Sequence, residues 1–196
     1  MGSRPARRRM ATVVAPIALL APAVATPAAL AGGAPAPRCR TSQLAVQLGS
    51  AQGAAGSIGQ VVTFRNRSTS TCALRGSPGL QMLSSSGQRI RTRVKGSRAT
   101  TVSAVPERLV PLRPRGTASF EAGWADETGF GQKKCPAAST VAVRPPGARN
   151  AIRVKWSLAP YGGSIPHLEC GRIAVSPVYA GTGPYEPQRH QAHTAA

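Results

Sequence analysis

The chain has 196 residues, with 25 lysines and arginines against 6 acidic residues and a formal charge of +19. That length suits one domain with tails. So few acids and only 3 histidines leave little for carboxylate-rich or histidine-rich metal chemistry, and 4% aromatic residues leave few platforms for stacking nucleic-acid bases.

The first segment does not read as part of a domain. Arg4, Arg7, Arg8 and Arg9 precede the apolar run "ATVVAPIALLAPAVA", and Ala29 and Ala31 form a small-residue site. A basic region, an apolar region and an A-x-A site make a secretory signal peptide, expected here over 1–31. Pro16 and Pro22 break the apolar run, and a membrane-spanning helix needs about 20 residues, so an uncleaved anchor is disfavoured. Residues 32–38 read as a linker. Pro37 and Arg38 before Cys39 do not suit a lipid-attachment site, and no second apolar segment follows. Removing the leader's four arginines, with no acid lost, leaves +15.

After the linker the pattern period is two. "QLAVQL" places Leu44, Val46 and Leu48 on one side, and "VVTFRN" places Val62 and Phe64 together. "QRIRTRVK" sets Ile90, Thr92 and Val94 against Arg89, Arg91, Arg93 and Lys95. Further strands are expected in "ERLVPL", "TASFEAGW", "STVAVRP", "AIRVKWS" and "RIAVSPV", with Ile152, Val154 and Trp156 opposing Arg153 and Lys155. Such alternation marks half-buried strands. Turn signals separate them: "GSAQGAAGS", "NRSTST", "GSPG", "SSSGQ", "RPRG", "PPGARN" and "PYGGS". Short strands punctuated by Gly and Pro indicate an all-β sandwich or barrel. The domain is expected over 39–180, and the polar, turn-rich 181–196 as a disordered tail.

The four cysteines, Cys39, Cys72, Cys135 and Cys170, include no C-x-x-C pair, so neither a redox motif nor a zinc knuckle is supported. An even count in an exported chain reads as two disulfides. Four cysteines allow three pairings and spacing alone does not choose. We favour Cys39–Cys72 and Cys135–Cys170, which close loops of moderate size between neighbouring strands. Each such loop contributes roughly 3–4 kcal/mol in the chain-entropy account.

The order of these features resembles a known family. "CRTSQLAVQLG" leads into "GAAGSIGQVVTFRNRSTSTCALRGSPGLQ", and "CGRIAVSPV" closes the chain. Gly53, Ala54, Ala55, Gly56, Asn66, Ser68, Cys72, Leu74, Gly76, Pro78, Gly79 and Val175–Val178 match the pattern of domain-of-unknown-function family 4232, common among exported actinobacterial proteins. The resemblance spans 39–180. It implies an exported immunoglobulin-like antiparallel β-sandwich with two disulfides, and it brings no established activity, cofactor or catalytic residue. The stretch "QRIRTRVKGSR" is more basic than that pattern.

Three candidate sites stand beside plainer explanations. Arg89, Arg91, Arg93 and Lys95 would lie about 6.5–7 Å apart on one strand face and could track an anionic polymer. A solvated face, or a charged edge strand that blocks pairing, explains them equally simply. Ser164, His167 and Glu169 lie in "GGSIPHLEC" without a G-x-S-x-G elbow. His167 stands alone for a copper site, with Met82 the only methionine after the leader. Glu121, Asp126 and Glu127 surround Trp124 and would serve a wall or sugar hydrolase, although Trp124 and Trp156 suit a core. The "NRS" at Asn66 fits a glycosylation acceptor and, more simply, a turn. The expectation is an exported, non-enzymatic envelope or extracellular protein without cofactor or metal. Its partners would be an anionic wall polymer or an envelope protein rather than nucleic acid. The hydrolase is the alternative.

Overall fold

The structure, a computed structural model, describes residues 35–54, 56–96, 102–125, 138–156 and 171–187. The expected leader over 1–31 lies outside them, as do 188–196 of the expected tail. A short 3-10 turn, Thr41–Gln43, precedes eleven strands: β1 (Leu44–Ala54), β2 (Ser57–Asn66), β3 (Cys72–Leu74), β4 (Gly79–Leu83), β5 (Arg93–Lys95), β6 (Val110–Leu112), β7 (Thr117–Ala125), β8 (Thr140–Arg144), β9 (Ile152–Lys155), β10 (Arg172–Val175) and β11 (Tyr179–Ala180). The described chain is therefore all-β, as the alternation required.

The strands form three sheets. The largest runs β1-β2-β7-β10-β5, with β11 also pairing β7; a second is β4-β8-β9; a third is the pair β3-β6. Their apolar faces meet in one core. Val62, Phe64, Phe120 and Ala122 come from the large sheet, Met82, Val141 and Val143 from the three-stranded sheet, and Leu74 and Leu112 from the pair. Phe64 and Phe120 lie with ring centroids 5.5 Å apart, and Trp124 meets Trp156 edge-on at 6.3 Å. Aromatic pairs in these orientations add to the burial of their area.

Four expectations need correction. The sheets are not purely antiparallel, because β5 and β10 run parallel, with Ile173 opposite Val94. Their distance along the chain removes any need for a tight turn between them. "GSAQGAAGS" is not wholly a turn: β1 continues through it with a bulge between Leu48 and Ala51, and pairs down to Ala54 opposite Ser57. There Gln60 Nε2 donates to the Gly49 carbonyl at 2.8 Å, and Gly49 lies so close to Val61 that a Cβ would stand 3.1 Å from its carbonyl oxygen. β2 and β7 are not half-buried at their centres. Thr63 and Ser119 are buried on the face opposite Phe64, joined at 2.8 Å. Ser119 Oγ in turn donates to Gly181 O at 2.6 Å, so the returning C-terminal segment covers that face. Finally, "QRIRTRVK" does not form one long strand. Only Arg93–Lys95 is strand, Ile90 turns into the core, and Val94 is 37% exposed.

Two fastenings close the ends of the sheets. Cys39 and Cys72 form a disulfide, the pairing favoured for closing a moderate loop between neighbouring strands, while Cys135 and Cys170 lie outside the described residues. Asn66 is fully buried at the end of β2. Its Nδ2 donates to the carbonyls of Ser70 (2.8 Å), Leu112 (3.0 Å) and Arg113 (3.2 Å), and its Oδ1 accepts from Ser68 N and Oγ at 2.9 and 2.7 Å. Asn66 is thus a turn organiser, the simpler of the two readings of "NRS".

Candidate anion-binding site

β8 and β9 are joined through "PPGARN" and pair in register, Val143 opposite Ile152 and Ala142 opposite Arg153. Alternation then decides what each face carries. Val141 and Val143 are buried, with Ile152 and Val154 packed against the same core. Arg144, Arg153 and Lys155 are left on the outer face, exposed. β4 pairs the other side of β8, Gly79 opposite Arg144 and Gln81 opposite Ala142.

A basin of about 460 Å³ opens on this face, and Arg89, Arg144, Arg149 and Arg153 all line it. Among the described residues, no acidic one is in its lining. Between described residues one ion pair forms, Arg75 with Glu107 at 3.1 Å, so none of the four arginines is neutralised by a described carboxylate. Their mutual repulsion is relieved by a bound anion or by solvent counter-ions, which makes the basin an attractive field for negative charge.

Three of the four arginines have an identifiable neighbour that places them. Arg89 Nη2 donates to Gln81 Oε1 at 3.1 Å. Gln81 is fixed in turn, because its Nε2 donates to Ile90 O at 2.6 Å and Met82 O at 2.9 Å. The Arg144 guanidinium lies across Gly79, where a Cβ would come within 3.0 Å of Nε and Nη2. Arg149 sits in the turn after β8. Gly147 opens that turn with φ +68°, favouring glycine. The Gly147 carbonyl accepts from Arg38 Nη1 at 3.4 Å, and the Asn150 carbonyl from Thr41 Oγ1 at 3.1 Å.

The expected ladder is brought together only in part. Arg89 joins the basin, reaching it from a lone bridge opposite Leu83. Arg93 and Lys95 sit on β5, at the edge of the other sheet, and Arg91 lies outside any strand. Reasoning strand by strand missed Arg144 and Arg149. Their signal was available: in "VAVRPPGARNAIRVK" a hairpin around "PPGARN" puts Arg144 on the same face as Arg153.

The carboxylate candidate resolves differently. Glu121 Oε2 accepts from Ser103 N at 2.6 Å and Oε1 from Tyr185 N at 3.0 Å. Both oxygens therefore hold backbone amides, a structural task, and Trp124 is only 2% exposed, inside the core rather than on a sugar-binding surface. Burial, and secondarily the negative Glu121, push the Tyr179 phenol well above its ordinary value, so it stays protonated and donates to Gly183 O at 3.0 Å. Asp126, Glu127, Ser164, His167 and Glu169 lie outside the described residues. Among the described residues, no group of three His, Cys, Asp or Glu could hold a metal ion, and no helix is long and apolar enough to cross a membrane.

No curated protein and no solved structure matches the chain. One family model does, over residues 39–179, which is most of the sequence and agrees with the resemblance carried by its cysteine, glycine and Ser-Pro-Val motifs. The chain belongs to the family described as Domain of unknown function (DUF4232).

Proposed function

We propose that this is an exported, non-enzymatic envelope or extracellular protein, an immunoglobulin-like β-sandwich that holds an anionic polymer on the outer face of β4-β8-β9. Four arginines lining one basin, with no acidic residue among its described lining, carry this reading. Export is supported by the leader pattern and by a disulfide, a bond that persists in oxidising compartments. No aromatic residue is among the described lining of the basin, which favours a polymer without bases over nucleic acid.

The test is retention of the mature protein on an immobilised acidic polymer across a salt series. If all four arginines contact the polymer, log K should fall against log salt with a slope of about −3, on the scale known for nucleic acids. Replacing Arg144 and Arg153 with Ala should flatten that slope by about 1.5. Replacing Arg93 and Lys95, an equal charge removed from β5, should change it much less. Equal losses from both pairs would show that net charge alone is at work, and no retention at low salt would sink the reading.

A further inference from the structure

Resting on the polymer-binding reading, we propose that the basin selects tetrahedral oxyanions, the phosphate or sulfate esters of a polymer, over carboxylates. All four cations in the basin's described lining are arginines, and Lys155, on the same sheet face, does not line it. A guanidinium offers a planar fork of N–H donors that grips two oxygens of one oxyanion, whereas an ammonium acts as a point charge. The four forks start from different places: the segment before β5, the end of β8, the turn after it, and β9. They therefore reach one basin from several parts of the sheet. A carboxylate presents its lone pairs near one plane and satisfies few such approaches. A tetrahedral group presents oxygens out of any single plane and satisfies more.

One fork is held before any ligand arrives, and a second is given its place by a missing side chain. Gln81 orients Arg89 through the 3.1 Å bond and is itself tied to the Ile90 and Met82 carbonyls. Gly79 leaves room for the Arg144 guanidinium to lie across β4, where any larger side chain would displace it. Preorganised donors lose less freedom on binding. Gln81 and Gly79 are thus positioning residues: neither carries charge, yet both determine where charge sits.

The experiment compares inorganic polyphosphate, dextran sulfate and polyglutamate at matched charge concentration and fixed salt, by titration calorimetry on the mature protein. Binding of polyphosphate, dextran sulfate or both at least about tenfold tighter than polyglutamate supports the proposal, since tenfold corresponds to roughly one charge-assisted hydrogen bond. Which of the two binds better identifies phosphate or sulfate as the source. Arg89→Lys with Arg144→Lys keeps every charge and removes two forks, so the preference should collapse while polyglutamate binding stays within about twofold. Gly79→Ala should weaken the preferred polymer alone. Equal affinity for all three polymers would overturn the selectivity and leave the polymer-binding reading standing. Binding to none of them would overturn both. Single-stranded DNA binding more tightly than either ester polymer would overturn the assignment to a base-free polymer.

Discussion

Replacing Asn66 tests what closes the end of the large sheet. The side chain is fully buried and makes five hydrogen bonds, three donated by Nδ2 to main-chain carbonyls and two accepted by Oδ1 from Ser68. Asn66→Ala deletes them all. The bond to Leu112 O is buried, so that carbonyl would lose its side-chain partner without access to water, at about 1–3 kcal/mol. The other four are partly solvated and count for about 0.5 kcal/mol each, the low end of a net hydrogen bond. The total is about 3–5 kcal/mol, a large share of a typical domain stability of about 5–15 kcal/mol. Asn66→Asp is nearly isosteric but turns the donor into an oxygen facing three carbonyl oxygens. At neutral pH it should cost more than Asn66→Ala. Burial and those carbonyls raise the new carboxyl's folded pKa. Its damage is therefore least below the unfolded value near about pH 4 and grows as pH rises through the folded value. Urea midpoints for the three proteins at acid and neutral pH give both comparisons. An alanine variant within about 1 kcal/mol of wild type, or an aspartate variant milder than alanine at neutral pH, would refute the account of this hub.

The Cys39–Cys72 bridge closes a loop with a sequence separation of 33, so the paired Cys39→Ser and Cys72→Ser variant should lose about 4 kcal/mol in non-reducing denaturation; unchanged stability would contradict that assignment. Gly171 has φ +88°, and a Cβ there would collide with the Arg91 carbonyl oxygen. Gly171→Ala should therefore cost about 3 kcal/mol or more by thermal unfolding, whereas alanine at a glycine site where space and backbone allow it stabilises by about 0.4–1 kcal/mol. For Tyr179, whose folded pKa is raised from an ordinary 10.0, the stabilisation is complete below about pH 10 and is drawn down as pH climbs towards the folded value. Tyr179→Phe should lose the Gly183 bond but flatten the alkaline decline in stability. An unchanged alkaline midpoint in that variant would show that another group controls it.

Much of the fold is local in origin and was readable as such. Val62 and Phe64, or Ile152 and Val154, sit two residues apart with polar neighbours between them, and a strand with one buried face needs that spacing. What escaped depends on partners far along the chain. Thr63 and Ser119 look like outward-facing polar positions, and they are buried because residues near Gly181 come back over them. The arginine ladder failed for the complementary reason. Its alternation is real, but Ile90 is claimed by the core and Met82 O accepts from Ile90 N at 2.9 Å, which ties the segment to β4. Only Arg93–Lys95 then reaches β10. The basin lay between these cases. Arg153 was placed on the outward side of its strand from sequence. Its companions appear only once β4, β8 and β9 are laid side by side.

The disulfide and the basin belong to one mechanical unit. The bridge holds Cys39 against Cys72, and the backbone extends that grip: Cys39 N donates to Ala73 O at 3.0 Å and Ala73 N to Pro37 O at 2.8 Å. This fixes residues 37–39 along β3. From that fixed segment Arg38 reaches the Gly147 carbonyl, and Thr41, two residues past the bridge, reaches the Asn150 carbonyl. Arg149 lies between those two carbonyls in the chain. The bridge thus stabilises the domain through a long loop and, over a few residues, also restrains the turn that carries one wall of the basin. Each of these two side-chain bonds is exposed and contributes little to stability by itself. Their effect is on position: they hold the backbone on either side of Arg149, the residue through which this turn lines the basin. A sulfur bridge that persists only in oxidising surroundings would then tie the geometry of the basin to the redox state around the protein.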